Sequence, residues 1–211
     1  MNKTRYTKGE ETASAITHAL GAALSIAALV AMLIRAAKGG NVYAIVSAAI
    51  FGTSLIILYT MSTLYHALAN KKAKKIFRIF DHATIFLLIA GTYTPYVLVT
   101  LHGTVGWILF GVLWGFATLG IVFDSIMLDK FRKIEMLLFV GMGWCIVAAS
   151  GSIIESLAKD GLLLLLGGGI LYTVGIIFYA LKNIKHMHTV WHLFVLGGSV
   201  LQFFSVYFYV L

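Results

Sequence analysis

The chain has 211 residues, of which 60% are apolar and 11% charged, far from the roughly 25% charged residues of a soluble domain. Its one cysteine excludes an intrachain disulfide and a thiolate-rich metal site, so any metal must rest on histidines and carboxylates. The net charge of +8 falls in short stretches between apolar runs and forms no basic face on a soluble fold, which leaves no nucleic-acid partner.

Residues 1–12 are polar and charged and lack the apolar core and small-residue cleavage site of a signal peptide. Apolar runs follow at 13–34, 42–68, 76–101, 105–123, 134–154, 161–181 and 187–211, each near the ~20 residues that cross a bilayer. The chain reads as an all-α membrane protein, one domain of seven transmembrane helices with no separate soluble part. Short stretches at 35–41 and 70–75 read as loops, the second strongly basic, and a charged loop is expected from Asp124 to Lys133. Glycine is abundant (21), as is common where membrane helices pack closely. The single proline, Pro95, lies inside the third span and is expected to kink it.

Alternate loops of a seven-span chain lie on opposite sides. The N-terminal tail and the loops after spans two, four and six hold 13 of the 16 Lys and Arg residues. The positive-inside rule therefore places the N-terminus in the cytoplasm and the C-terminus outside. The expected location is a multi-pass position in a cell membrane, the inner or plasma membrane of a bacterium.

This topology gathers histidines. His18, His66, His82, His186, His188 and His192 fall at the cytoplasmic end, and only His102 at the outer one. Histidine in a membrane span is rare and needs an internal partner. His188 and His192 are four apart, so on a helix they share one face and can bind one metal ion together. Ser62 and His66 share a face of span two for the same reason, and Asp81 lies about a turn inside span three. His82, next to Asp81, points about 100° away round the helix. The simplest assembly has His66, His188 and His192 as neutral nitrogen ligands, a water in the fourth position and Asp81 beside it. Three protein ligands with an open position is the catalytic form of a zinc site. Zinc lowers the pKa of such a water toward ~7. Asp81 then reads as general base and Ser62 as a group that orients Asp81 or a substrate carbonyl.

Each residue also has a plainer reading. His186 and His102 suit the membrane interface, Asp81 a helix start favoured by the macrodipole, and Ser62 helix packing. Glu11 and His18, two turns apart, suit capping and packing of span one. His82 fits either a donor behind the site or a headgroup contact. The joint placement of these groups at one depth, from four helices, is what favours the metal.

Ser62-x-x-x-His66, Asp81 early in span three and His188-x-x-x-His192 in span seven resemble the signature of the progestin and adipoQ receptor superfamily. The small chain and the stretches from Glu11 to His18, Tyr65-His66 and Asp81 to Phe86 resemble its bacterial branch, the hemolysin III proteins. The resemblance implies seven spans with a cytoplasmic N-terminus. It implies zinc on His66, His188 and His192, a water near Asp81, and support from Ser62. The superfamily's alkaline ceramidases imply hydrolysis of a lipid amide or ester, with membrane lipids and a lipid substrate or free fatty acid as partners and a role in lipid homeostasis. The hormone-receptor role does not carry over, because the long N-terminal region of adiponectin receptors has no counterpart here. Two other readings stand beside the hydrolase. One is a pore-forming cytolysin, after the activity that names the bacterial branch. The other is a non-catalytic membrane sensor with structural zinc.

Overall fold

The computed structural model describes residues 6–181 and 183–211, with the side chains of 127–133 outside the description. Lys3, Arg5, Lys182 and the side chains of Lys130, Arg132 and Lys133, on which the charge count partly rests, lie outside the described residues. Among the described residues there is no strand, and seven helical stretches are long and apolar enough to cross a membrane.

Polar caps set where the first three helices begin. The first helix, α1 (Lys8–Gly39), starts ahead of residue 13 because Thr7 and Glu10 form a capping box. Thr7 Oγ1 accepts from Glu10 N at 3.3 Å and Glu10 Oε2 accepts from Thr7 N at 2.8 Å. The helix continues through most of the expected 35–41 loop to a left-handed Gly40, φ 68°. Asn41 caps α2 (Val42–Ala67), its Oδ1 accepting from Tyr43 N at 2.9 Å. Asn70 caps α3 (Lys71–Pro95), accepting from Lys72 N at 2.9 Å and Ala73 N at 3.1 Å. The basic segment expected as a loop is therefore the start of α3. Hydropathy marks where a helix meets lipid, and a capped helix runs on into water.

Pro95 has no N–H to offer the preceding turn. The chain continues as a π-helical turn, Tyr96–Thr100, closed by Leu101 N donating to Tyr96 O at 2.8 Å.

Helix α4 (Gly103–Gly143) contains the fourth span and the start of the fifth. Its contacts with α3 show that it reverses. Trp114 Nε1 donates to Thr94 Oγ1 at 3.2 Å and Gly120 meets the Phe86 ring, so this part runs antiparallel to α3. Beyond it, Glu135 meets His82, Phe139 meets Phe86 and Gly143 meets Tyr93, a parallel course. The direction changes between Ile126 and Ile134, inside the connection expected from Asp124 to Lys133, and helical backbone reaches into that connection from both sides. Asp124 is wholly buried within the helix, close to His82 and Glu135.

The fifth span ends in a 3-10 turn, Cys145–Ala149, and a short helix, α5 (Ser150–Ser156). Tyr93 patches this irregularity. Its hydroxyl donates to Gly143 O and accepts from Ile146 N at 3.3 Å, as backbone groups in an apolar medium require. Helices α6 (Lys159–Ala180) and α7 (Met187–Tyr209) pack together, and α7 closes onto α1. At the far end from the histidines, Arg35 on α1 donates to Leu211 O at 3.1 Å and to Phe208 O at 3.3 Å, binding carbonyls that the end of α7 leaves free. The third span is the most buried. Small residues allow this packing: a Cβ on Gly120 would lie 2.5 Å from the Phe86 ring.

Candidate metal centre

His66 stands in the last turn of α2, and His188 and His192 in the first turns of α7. The Nε2 of His188 is 3.2 Å from that of His66 and 3.1 Å from that of His192. His66 and His192 are buried, His188 partly so. His66 Nδ1 donates to Glu11 Oε2 at 2.8 Å, which fixes its tautomer and leaves Nε2 with a lone pair aimed at its neighbours. Glu11 also meets Lys74 Nζ at 2.9 Å, tying the starts of α1 and α3 to the site.

Three ring nitrogens this close have more lone pairs than protons to share. A tetrahedral ion with metal–nitrogen distances of about 2.0–2.1 Å spaces its nitrogens about 3.4 Å apart. The donor set therefore fits a divalent metal of that size. Among the described residues, no fourth His, Cys, Asp or Glu donor joins the three.

The first turns of α1 hold the entry to α7 in place. His186 adopts a left-handed conformation, φ 65°, and its N–H donates to Glu10 Oε1 at 2.7 Å. Ser14 and Thr189 share a hydrogen bond at 3.0 Å. His18 lies flat on His192, ring centroids 3.6 Å apart and 14° between planes, with its edge to Tyr59. Glu10, Glu11, Ser14 and His18 thus build one supporting wall of the site.

Asp81 is partly buried and lines a cavity together with His18, His82, His188 and His192. The cavity, about 1220 Å³ including its open part, is walled mainly by apolar side chains. It extends to Tyr96 and Gln202, where Tyr96 Oη donates to Gln202 Oε1 at 2.9 Å and Gln202 Nε2 to Leu165 O at 3.0 Å. Ser62, one turn before His66, is buried, and its hydroxyl has no partner among the described residues. An orphaned buried hydroxyl beside the cluster is what a missing water or ion leaves.

The structure brings His66, His188 and His192 into one donor group and opens Asp81 onto the cavity beside them. His186 contributes its backbone, and His102 stands apart, near Tyr43. Sequence reasoning missed Glu11 as the partner of His66. Its seven-residue spacing from His18 placed the two on one face of α1 and did not point to His66. It also missed Asp124 and Glu135, which meet His82 from α4.

A family model described as haemolysin-III related matches residues 6–203. The chain belongs to the haemolysin-III-related family. Within the family, it is 47% identical over 208 residues to Hemolysin-3 of Bacillus cereus, covering 99% of this chain and 94% of that protein. It is 47% identical over 204 residues to the Hemolysin-3 homolog of Bacillus subtilis (strain 168), covering 97% and 96%. The monocyte to macrophage differentiation factor of Homo sapiens is 25% identical over 207 residues, 95% of this chain and 84% of that protein, which links the family to the progestin and adipoQ receptors. All the donors described above fall within the family match.

Proposed function

We propose that this protein is a zinc-dependent hydrolase of the cell membrane that cleaves an amide or ester bond in a lipid and so adjusts membrane lipid composition. The observation that carries this reading is the convergence of the His66, His188 and His192 Nε2 atoms at the polar end of a long apolar cavity. Three imidazoles suit zinc among the divalent metals, and a structural zinc is normally closed by four protein ligands. Zinc, when bound, supplies Lewis acidity toward a carbonyl oxygen and acidifies water.

The chain's own residues supply the rest. Asp81 accepts a proton from the attacking water and returns it to the departing amine or alcohol. Ser62 offers a hydrogen bond beside His66. Glu11 holds the His66 ring, and His18 backs His192. From His188 to Gln202 is fourteen residues of α7, roughly 21 Å at 1.5 Å per residue. That length, in apolar walls, suits the acyl chain of a lipid substrate or a free fatty acid product. With the N-terminus in the cytoplasm, the polar end faces the inner leaflet.

The word hemolysin in the relatives' names raises a pore. The apolar lining and the hydrogen-bonded Tyr96–Gln202–Leu165 group at the cavity's far end argue against a water-filled path.

The test is release of free fatty acid from amide-linked and ester-linked lipids by the purified protein. Release is expected in the wild type, lost with a chelator and restored by zinc. Asp81→Asn is expected to keep its metal and lose at least ~10²-fold in rate. Release indifferent to the chelator contradicts the reading. Metal binding with no cleavage of either lipid class favours the sensor.

A further inference from the structure

A second group of donors lies beside the three histidines and takes no part in the chemistry above. His82 comes from α3, Asp124 from the fourth span and Glu135 from the fifth. One ligand atom of each lies within 4.8 Å of the others. Exposure is 7% for His82 and 0% for both carboxylates. His82 Nδ1 meets Glu135 Oε1 at 2.8 Å. Glu135 Oε2 and both oxygens of Asp124 have no hydrogen-bond partner among the described residues.

Two carboxylates brought together inside a helical bundle repel each other and have lost their water. A single imidazole contact reaches one of their four oxygens. Arg78, one turn before His82, acts on Asp124 electrostatically, yet neither Asp124 oxygen is hydrogen-bonded. Three buried oxygens without a hydrogen-bond partner, in a group that brings a carboxylate oxygen of each acidic residue and a ring nitrogen within 4.8 Å of one another, call for a ligand that carries positive charge and accepts lone pairs.

We propose that His82, Asp124 and Glu135 form a second binding site, for a first-row divalent cation. One nitrogen and two carboxylates are a mixed donor set that accepts manganese as well as zinc, whereas the three-histidine group prefers zinc. The ion ties three spans together where α4 reverses, and it neutralises both carboxylates. It also sits beside the cavity. His82 lines the wall, and the Tyr179 ring lies 6.3 Å from the His82 ring and 6.0 Å from that of His188. The second site therefore stands one aromatic residue away from the first.

Two metals read the proposal independently of the hydrolase. The full-length protein in detergent is titrated with manganese, and bound metal is followed by electron paramagnetic resonance. Binding is expected in the wild type and, within twofold, in His188→Ala. Asp124→Asn or Glu135→Gln is expected to weaken it at least tenfold, in preparations whose unfolding midpoint shows a folded chain. Zinc content reads the same question with the cluster intact. His188→Ala is expected to retain one zinc per chain. No zinc in that variant overturns the proposal, as does manganese binding absent from the wild type or unchanged in Asp124→Asn. Those outcomes leave a carboxyl pair that is neutralised by protons alone. Loss of lipid cleavage without loss of manganese binding, by contrast, bears only on the hydrolase.

Discussion

At the scale of the residue, the candidate metal centre divides into what is local and what is not. The pair His188 and His192 was legible because a four-residue spacing on a helix is itself a geometric statement. His66 and Asp81 became legible once the charge pattern put their helix ends at one depth. The contact of Glu11 with His66 spans 55 positions, and that of His82 with Glu135 spans 53. No local pattern encodes such pairs, since they exist only when α1 meets α2 and when α4 turns back. Glu11 illustrates the energetic consequence. Its carboxylate sets the tautomer and raises the basicity of a ligand imidazole, and loss of such a partner typically weakens metal binding 10–100-fold. Glu11→Gln is expected to lower zinc affinity by about that factor, measured by competition with a chromogenic chelator, while the unfolding midpoint changes little. Lys74, on the outer side of Glu11, is partly exposed, and its pairing is worth less than about 1 kcal/mol. Lys74→Ala is therefore expected to leave zinc affinity within about fivefold. An equal loss in both variants contradicts the assigned roles.

At the scale of the element, the apolar runs located all seven spans, and misjudged the ends for one physical reason. A helix extends as far as its caps and turns permit, so Thr7 and Asn70 carry α1 and α3 beyond the stretches that face lipid, whereas Asn41 starts α2 at Val42, where its apolar run begins. The same reasoning failed at Asp124, where charge suggested water and the fold buried both carboxylate oxygens without a hydrogen-bond partner among the described residues. Packing of α3 against the fourth span depends on a missing side chain. A Cβ on Gly120 falls 2.5 Å from the ring of Phe86, which is fully buried and also meets Phe139. Gly120→Ala is expected to destabilise the protein by about 1–3 kcal/mol through overpacking, seen as a lower unfolding temperature in detergent. Pairing it with Phe86→Leu is expected to recover part of the loss. Full stability in the single variant contradicts this contact.

At the scale of the whole molecule, one end of the bundle carries the histidine cluster and the other carries closure. The first turns of α1, α3 and α7 and the last of α2 meet around the histidines, while Arg35 binds the end of α7 at the opposite end. The distribution of Lys and Arg leads us to propose that the histidine end faces the cytoplasm. A reporter fused to the C-terminus tests that orientation: alkaline phosphatase is expected to be active there and a fluorescent protein dark, and the reverse contradicts it. The central claim is that His66, His188 and His192 hold one metal ion as a unit. Zinc measured per chain in the purified full-length protein, wild type against His188→Ala, tests it most directly. A fall of one zinc per chain with folding preserved is expected; equal zinc in the two proteins contradicts a shared metal ion.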